Sequence, residues 1–164
     1  MHFDAPWDTT LKVLTSLALI LLLGVMILLI GGFFYGLRPL IAFSLSGMDI
    51  LFILLCYLYA PRGFYLSDSH LVIERRISPI RIEIGKIKRV SRLPKEEISH
   101  AARTFGVRGF FGYYGIFRNE RLGRFRMYAT DRGKGVLIEA ERKYVITPDR
   151  PEHLIGLLRA RLAR

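Results

Sequence analysis

Residues 11–60 read LKVLTSLALILLLGVMILLIGGFFYGLRPLIAFSLSGMDILFILLCYLYA. The charged side chains in this stretch are Lys12, Arg38 and Asp49. A bilayer core is about 30 Å thick, and a helix of roughly 20 apolar residues crosses it. The stretch is too long for one span and long enough for two. It therefore predicts a membrane-spanning helical hairpin that dominates the first third of the chain.

The hairpin should turn at residues 36–39, which read GLRP. Glycine loosens a helix, arginine prefers water, and proline ends one helix or begins the next. We predict spans at about residues 14–35 and 40–59, within a hairpin unit covering residues 1–60. A signal peptide is the alternative for the first span, but the apolar part is too long and the leader is not basic.

Charge is divided sharply along the chain. Residues 1–60 hold two of the 25 basic side chains and three of the 14 acidic ones, so the net charge is −1 there and +12 in the rest. An excess of Lys and Arg beside a span marks the cytoplasmic side of a membrane. With two spans, this pattern predicts a multi-pass protein of the cytoplasmic (inner) membrane with both termini in the cytoplasm.

The excess of basic residues after residue 60 has three interpretations. Nucleic-acid binding is one, but the anchor and the lack of a recognisable nucleic-acid motif argue against it. Anionic phospholipid headgroups are the nearer polyanion, and a juxtamembrane Lys or Arg gains about 1 kcal/mol there. The third interpretation is an ordinary solvated surface. We expect no nucleic-acid partner and keep the other two open.

Asp49 is unusual because it lies near the middle of the second span. A carboxylate at that depth costs roughly 2.5–3.5 kcal/mol on insertion scales. It could contact another membrane protein or take part in a proton-linked step. Alternatively, it is neutral and bonded to Ser46 or to the backbone of the first span, which is the interpretation we favour.

From residue 61 the hydrophobic period changes to two, which is typical of strands. Ile80, Ile82 and Ile84, for example, alternate with charged residues. Four short strands in residues 64–90 predict an antiparallel meander, and residues 93–104 are compatible with a helix. Three further strands follow residue 123. Apolar residues at helical spacing after Asp149 then predict an amphipathic C-terminal helix.

Residues 105–117 interleave four glycines with six aromatic residues. Glycine within a strand indicates a bulge, a sharp bend or a close backbone approach. We therefore predict structural roles for Gly109, Gly112, Gly115 and Gly123. The aromatic residues either fill the core of the domain or dip into the membrane interface.

Catalytic and metal-binding signatures are missing from the sequence. The four histidines, His2, His70, His100 and His153, share no ligand spacing with one another or with carboxylates. No nucleophile motif of the Gly-x-Ser-x-Gly type is present. We expect a protein that is not an enzyme and that needs no cofactor. A small membrane enzyme and a basic nucleic-acid-binding membrane protein are the alternatives.

Several motifs resemble those of bacterial membrane proteins with a pleckstrin-homology-like (PH-like) domain. They are PRGFY at 61–65, LVIERR at 71–76, GFFGYYG at 109–115 and YVITPD at 144–149. The resemblance implies an α+β protein: a two-helix transmembrane hairpin, then a partly open antiparallel β-barrel with a C-terminal α-helix, in a cytoplasmic domain of residues 61–164. In phosphoinositide-binding PH domains, basic residues around the first hairpin loop hold the lipid phosphates. Here that loop, residues 67–70, reads SDSH and departs from the pattern.

These observations predict a membrane-anchored interaction module that binds a protein partner, anionic lipid headgroups, or both. Because the domain follows the second span without a linker, one edge should lie within a Debye length of about 8 Å of the headgroups. The candidates for that edge are Arg62, Arg75, Arg76, Lys86, Lys88, Arg89, Arg92, Phe110, Phe111, Tyr113 and Tyr114.

Overall fold

The computed structural model describes residues 1–34, 36 and 38–162. Its first helices are α1, Thr9–Phe34, and α2, Pro39–Tyr59. Only 6% of the apolar part of α1 and 17% of that of α2 is buried. Both helices are long and apolar enough to cross a membrane. The expected end of the first span, residue 35, lies outside the described residues.

Ten strands and two further helices make up the rest of the described chain. The first sheet contains β1 (His2–Asp4), β2 (Pro61–Leu66), β3 (His70–Arg75) and β4 (Ile80–Glu83). The other strands are β5 (Arg89–Arg92), β6 (Ala102–Arg108), β7 (Tyr113–Asn119), β8 (Gly123–Ala129), β9 (Val136–Glu139) and β10 (Lys143–Ile146). The helices are α3 (Lys95–Ser99) and α4 (Pro151–Leu162).

The first sheet is antiparallel with the strand order β1-β2-β3-β4. Its edge strand β1 comes from the leader. Phe3 pairs directly with Phe64 of β2, although the whole hairpin separates the two residues in sequence. The side chains of Phe3 and Phe64 are both fully buried. The sheet is therefore completed by a segment that precedes the membrane helices in sequence.

The second sheet has the order β5-β9-β10-β8-β7-β6. Strand β5 pairs with β9 rather than with β4, because a 3-10 turn at Ile84–Lys86 carries the chain across to this sheet. The predicted four-stranded meander was therefore wrong at its last strand. Strands β8 and β10 are parallel, unlike the other pairs described, because the β9–β10 hairpin inserts β10 beside β8.

The helix predicted over residues 93–104 is much shorter in the structure. It ends at Ser99, and residues 102–104 already belong to β6. Polar composition alone did not distinguish a helix from this exposed edge strand, whose first four residues are all exposed.

Two apolar clusters hold the domain together. One lies between the two sheets under α4 and includes Phe64, Ile73, Ile138 and Leu158. The other lies on the opposite face of the second sheet, where Leu11 of α1 and Ile98 of α3 cover it. No strand pairing joins the two sheets in the described part of the chain. The domain is thus the partly open barrel with a C-terminal helix that the resemblance implied.

Candidate interaction surface

Groups of the β domain cap the C-terminal end of α2. The last four carbonyls of a helix have no partner within that helix. The Tyr114 hydroxyl donates to the Cys56 carbonyl over 2.7 Å, and the Ile77 N–H donates to the Leu58 carbonyl over 3.3 Å. The Arg76 guanidinium donates to the Tyr57 carbonyl over 3.4 Å. Three carbonyls of the final turn are thereby tied to the domain.

The first turn of α1 is tied to the loop between β8 and β9. The Asp8 carboxylate caps the helix by accepting a hydrogen bond of 2.6 Å from the Leu11 N–H. Its second oxygen lies 3.2 Å from Nε of Arg132, and the Asp8 N–H donates to the Thr130 carbonyl over 3.0 Å. Leu11 and Thr15 are both buried. The two helices therefore meet the domain without a flexible joint on either side.

The turn between β6 and β7, residues 109–112, packs directly against α1. The Gly109 N–H donates to the Gly112 carbonyl over 3.0 Å and closes the turn. Thr15 Oγ1 accepts from the Phe111 N–H over 3.1 Å. Phe111 has a φ of +57°, a conformation rare for a residue other than glycine. Local strain of this kind persists only where the surrounding contacts fix it.

The strained turn directs two rings toward the hairpin. Phe110 stacks on Phe52 with a centroid distance of 5.9 Å. Phe111 meets Tyr57 at 5.5 Å and Trp7 at 6.1 Å, both edge to face. We call these five residues the aromatic junction. Each favourable ring pair is worth about 0.5–1.5 kcal/mol beyond its buried area, so the junction holds the domain against the hairpin.

Tyr113 and Tyr114 belong to the interior of the domain, where both side chains are buried. Burial raises the pKa of the Tyr114 hydroxyl far above its ordinary value, and the neighbouring Cys56 raises it further. Burial, followed by the charge of Asp8, also raises the pKa of Tyr113. Of the four candidate aromatic residues, Tyr113 fills the interior, Phe110 and Phe111 contact the hairpin, and the buried Tyr114 does both.

Three of the candidate basic residues lie beside the end of α2. Arg62 is exposed, and Arg76 stacks over the Tyr57 ring at 3.7 Å. Arg75 lies 5.5 Å from the Tyr59 ring and donates to the Ser78 carbonyl over 2.9 Å through Nε. Within the described chain, these three have no carboxylate partner. We call them the hairpin-side arginines, and their charge is available to an external anion.

The other four candidates lie elsewhere. Strand β3 pairs Arg75 with Pro61 at the hairpin end, and His70 with Glu83 at the opposite end. Five residue steps at about 3.3 Å separate these ends by about 17 Å, roughly two Debye lengths. Lys86, Lys88 and Arg89 follow Glu83 and lie at that distal end. The structure therefore does not bring the seven basic candidates together on one edge.

Two of these four candidates pair with carboxylates: Lys86 at the distal end, and Arg92, whose register with Val136 places it nearer the hairpin end. Lys86 lies 3.3 Å from Glu83 and 3.2 Å from Glu141, and hydrogen bonding to them raises the pKa of Lys86. Arg92 pairs with Glu152 at 3.2 Å and donates to the Gly133 and Gly135 carbonyls. Lys88 and Arg89 line a shallow pocket beside Arg159 of α4.

Asp49 is half-buried in the hairpin. Neither the expected bond to Ser46 nor any other hydrogen bond or ion pair of Asp49 is present within the described residues. The Ser46 hydroxyl is itself buried without a partner in this part of the chain. Asp49 is thus a polar group near the middle of α2 that the described residues leave without a hydrogen bond or ion pair.

Among the predicted structural glycines, Gly115 has the clearest explanation, which is the pairing of β6 with β7. Gly115 faces Gly106, and a Cβ added to Gly115 would lie 2.2 Å from the Phe105 carbonyl oxygen. Only glycine allows these two backbones to approach so closely. Gly109 and Gly112 form the ends of the turn, and Gly123, with a φ of +68°, begins β8.

Sequence reasoning missed Thr15, Arg132 and the ion pair between Asp8 and Arg132. Asp8 did carry a local signal, since Asp directly before an apolar helix is a preferred N-cap. Thr15 and Arg132 had none, because their partners lie 96 and 124 residues away in the chain. Among the described residues, no group of His, Cys, Asp and Glu could hold a metal ion.

Comparison with known protein families gives a match. The model of a family described as "Bacterial PH domain" matches residues 62–162. No curated protein matches the chain. No solved structure matches it either. The family match covers more than half of the chain, and the matched residues form the partly open barrel with its closing helix. The chain therefore belongs to the bacterial PH domain family.

Proposed function

We propose that this protein is a membrane-anchored, non-enzymatic binding module of the cytoplasmic membrane. In this proposal α1 and α2 cross the bilayer, both termini are cytoplasmic, and the domain of residues 61–164 binds anionic lipid headgroups and a protein partner. The observation that supports this proposal is the rigid attachment of the hairpin to the domain. Three carbonyls of α2, the ion pair of Asp8 with Arg132 and the aromatic junction all join the two parts.

Rigid attachment fixes which residues can meet the membrane surface. The hairpin-side arginines lie at the level where α2 leaves its apolar part, and they carry no compensating carboxylate within the described chain. Juxtamembrane arginines gain about 1 kcal/mol each from an anionic leaflet. The geometry thus supports lipid contact by Arg62, Arg75 and Arg76, and supports it less for Lys86, Lys88 and Arg89 at the distal end.

The single tryptophan offers a direct test of this lipid contact. Trp7 belongs to the aromatic junction, and Phe111 and Tyr57 connect it to Arg76. The full-length protein is placed in vesicles that contain brominated phosphatidylglycerol or brominated phosphatidylcholine, and quenching of Trp7 fluorescence is measured. We expect stronger quenching by the anionic lipid at low salt and equal quenching at high salt, since salt screens the attraction.

Two double variants that remove the same amount of charge test which basic residues are responsible. Arg62→Gln with Arg76→Gln should abolish the excess quenching by the anionic lipid. Lys88→Gln with Arg89→Gln removes the same charge from the distal end and should leave the excess intact. Equal quenching by both lipids in the unmodified protein, or equal effects of the two double variants, would exclude lipid docking through the hairpin-side arginines.

A further inference from the structure

An exposed surface of the second sheet has a charge arrangement that its own fold does not explain. In the register of β7 with β8, Arg118 lies directly opposite Arg124, and Ile116 lies directly opposite Arg126. Residues that face each other across antiparallel strands project from the same side of the sheet. Like charges in this position destabilise a sheet. Arg118 and Arg124 are both exposed.

Apolar side chains lie beside these charges on the same face. Phe105 of β6 pairs with Ile116, and Phe105 is 75% exposed. A depression of about 600 Å³ next to them is lined by Ile116, Arg124, Arg126 and Arg142 among others. We call Phe105, Ile116, Arg118, Arg124 and Arg126 the arginine patch. An exposed aromatic side chain among arginines is the composition typical of energetically important interface residues.

The charges of the arginine patch are not neutralised from within. None of Arg118, Arg124, Arg126 and the adjacent Arg142 has a carboxylate within ion-pair distance in the described part of the chain. Arg121 nearby is different, because it pairs with Glu97. An external partner of opposite charge would therefore relieve the repulsion between Arg118 and Arg124 as well as gain its own contacts.

We propose that the arginine patch binds an acidic segment of a partner protein that also carries apolar side chains for Phe105 and Ile116. The inference rests on the proposed function, which turns this end of the domain away from the membrane. Arg118 lies five residues along β7 from Tyr113, about 17 Å from the hairpin end, so a membrane is out of reach of its charge. A second copy of this chain is a poor partner for the arginine patch, because each copy carries a net charge of +11 and the two would repel each other.

The partner lies on the face of the sheet rather than along the free edge of β6. The Arg103 guanidinium already donates to the Gly106 carbonyl over 3.3 Å and blocks part of that edge. A nucleic acid fits less well than a protein, because apolar side chains occupy the patch and Glu141 also lines the depression. A carboxylate there repels phosphates but can pair with a basic residue of a partner protein.

The test uses the full-length protein in nanodiscs of zwitterionic lipid. The probe is a fluorescent peptide in which glutamates alternate with leucines, and its matched control has glutamines instead. We expect saturable binding of the glutamate peptide alone, measured by fluorescence anisotropy. Binding should weaken at least about tenfold in the double variant Arg118→Glu with Arg124→Glu, and several-fold in Phe105→Ser, since a tenfold loss corresponds to about 1.4 kcal/mol.

Arg81→Glu is the matched control for Arg118→Glu alone, because it makes the same change of charge at an exposed arginine on β4 of the other sheet. It should change binding by no more than about twofold, the effect of net charge alone. Arg118→Glu by itself guards against misfolding: it creates an opposite-charge pair with Arg124, so its melting temperature should stay the same or rise while binding falls.

Several results would overturn the proposal. Equal binding of both peptides would exclude recognition of carboxylates, and equal weakening by Arg81→Glu would reduce the effect to net charge. Binding of duplex DNA that depends on Arg118 and Arg124, without binding of the acidic peptide, would assign the patch to a polyphosphate. The Trp7 quenching experiment is independent of these outcomes, so failure of the lipid contact and failure of the arginine patch are distinguishable.

Discussion

At the scale of single residues, the glycine-aromatic segment combines two opposite demands. Gly106 and Gly115 remove side chains where β6 and β7 approach each other. Phe110 lies four residues after Gly106 and Phe111 four residues before Gly115, and both project large rings into the hairpin. The alternation of the smallest residue with the largest ones thus serves one turn that must be narrow at its base and wide at its tip.

Gly115→Ala tests the narrow part of this turn. The new methyl group would meet the Phe105 carbonyl and the Gly106 Cα, at 2.2 and 2.7 Å, and the φ of +129° is unfavourable for alanine. Such backbone conflicts cost about 1–3 kcal/mol or more, and we expect the melting temperature of the detergent-solubilised protein to fall by several degrees. Gly85→Ala is the control, since nothing lies within 4 Å of its added Cβ. Equal melting temperatures for both variants would contradict the close approach.

At the scale of elements, the sequence predicted those whose signal is local. The two apolar helices followed from a long apolar run with a turn signal, and the alternating strands β3 and β4 and the helix α4 followed from periodicity in a short window. Strand β1 could not be predicted in this way, because three residues, HFD, carry no period and their partners in β2 lie beyond the hairpin. The parallel pairing of β8 with β10 is equally non-local.

The same difference between local and non-local signals applies to the residues of the candidate site. Arg62, Arg75 and Arg76 lie near the end of α2, which they follow closely in sequence. Lys86, Lys88 and Arg89 are almost as close in sequence, but β3 and β4 carry the chain to the distal end. Sequence distance from a membrane span is thus a poor guide once the first strand of a sheet has been passed.

The junction of α2 with the domain is an element-scale feature that Tyr114→Phe isolates. This change removes the hydroxyl that donates to the Cys56 carbonyl and leaves the buried ring in place. A buried acceptor that loses its partner costs about 1–3 kcal/mol, so the melting temperature should fall by several degrees. Tyr65→Phe is the matched control, because Tyr65 is 42% exposed. An unchanged melting temperature in Tyr114→Phe would show that the cap contributes nothing to stability.

At the scale of the whole molecule, the pairing of β1 with β2 constrains the arrangement in a membrane. Strand β1 precedes α1 and β2 follows α2, and the two form one antiparallel pair. A fragment that begins at residue 61 would lack Phe3 and Leu11, which are both fully buried. The domain is therefore studied best in the full-length chain, where the leader and the first turns of α1 complete its sheet and its core.

The same pairing predicts the topology that the basic residues indicate. If α1 and α2 cross the bilayer, both strands of the pair must lie on one side, and the positive-inside rule makes that side cytoplasmic. In a Cys56→Ala background, a membrane-impermeant maleimide should label Arg38→Cys in intact cells, because Arg38 is exposed in the turn of the hairpin and lies outside both predicted spans. Asp4→Cys in β1 and Arg81→Cys in β4 are matched exposed positions in the domain. They should be labelled only after permeabilisation. Labelling of Arg81→Cys in intact cells would invert the orientation, and opposite accessibility of Asp4→Cys and Arg81→Cys would contradict the assembly of the leader with the domain.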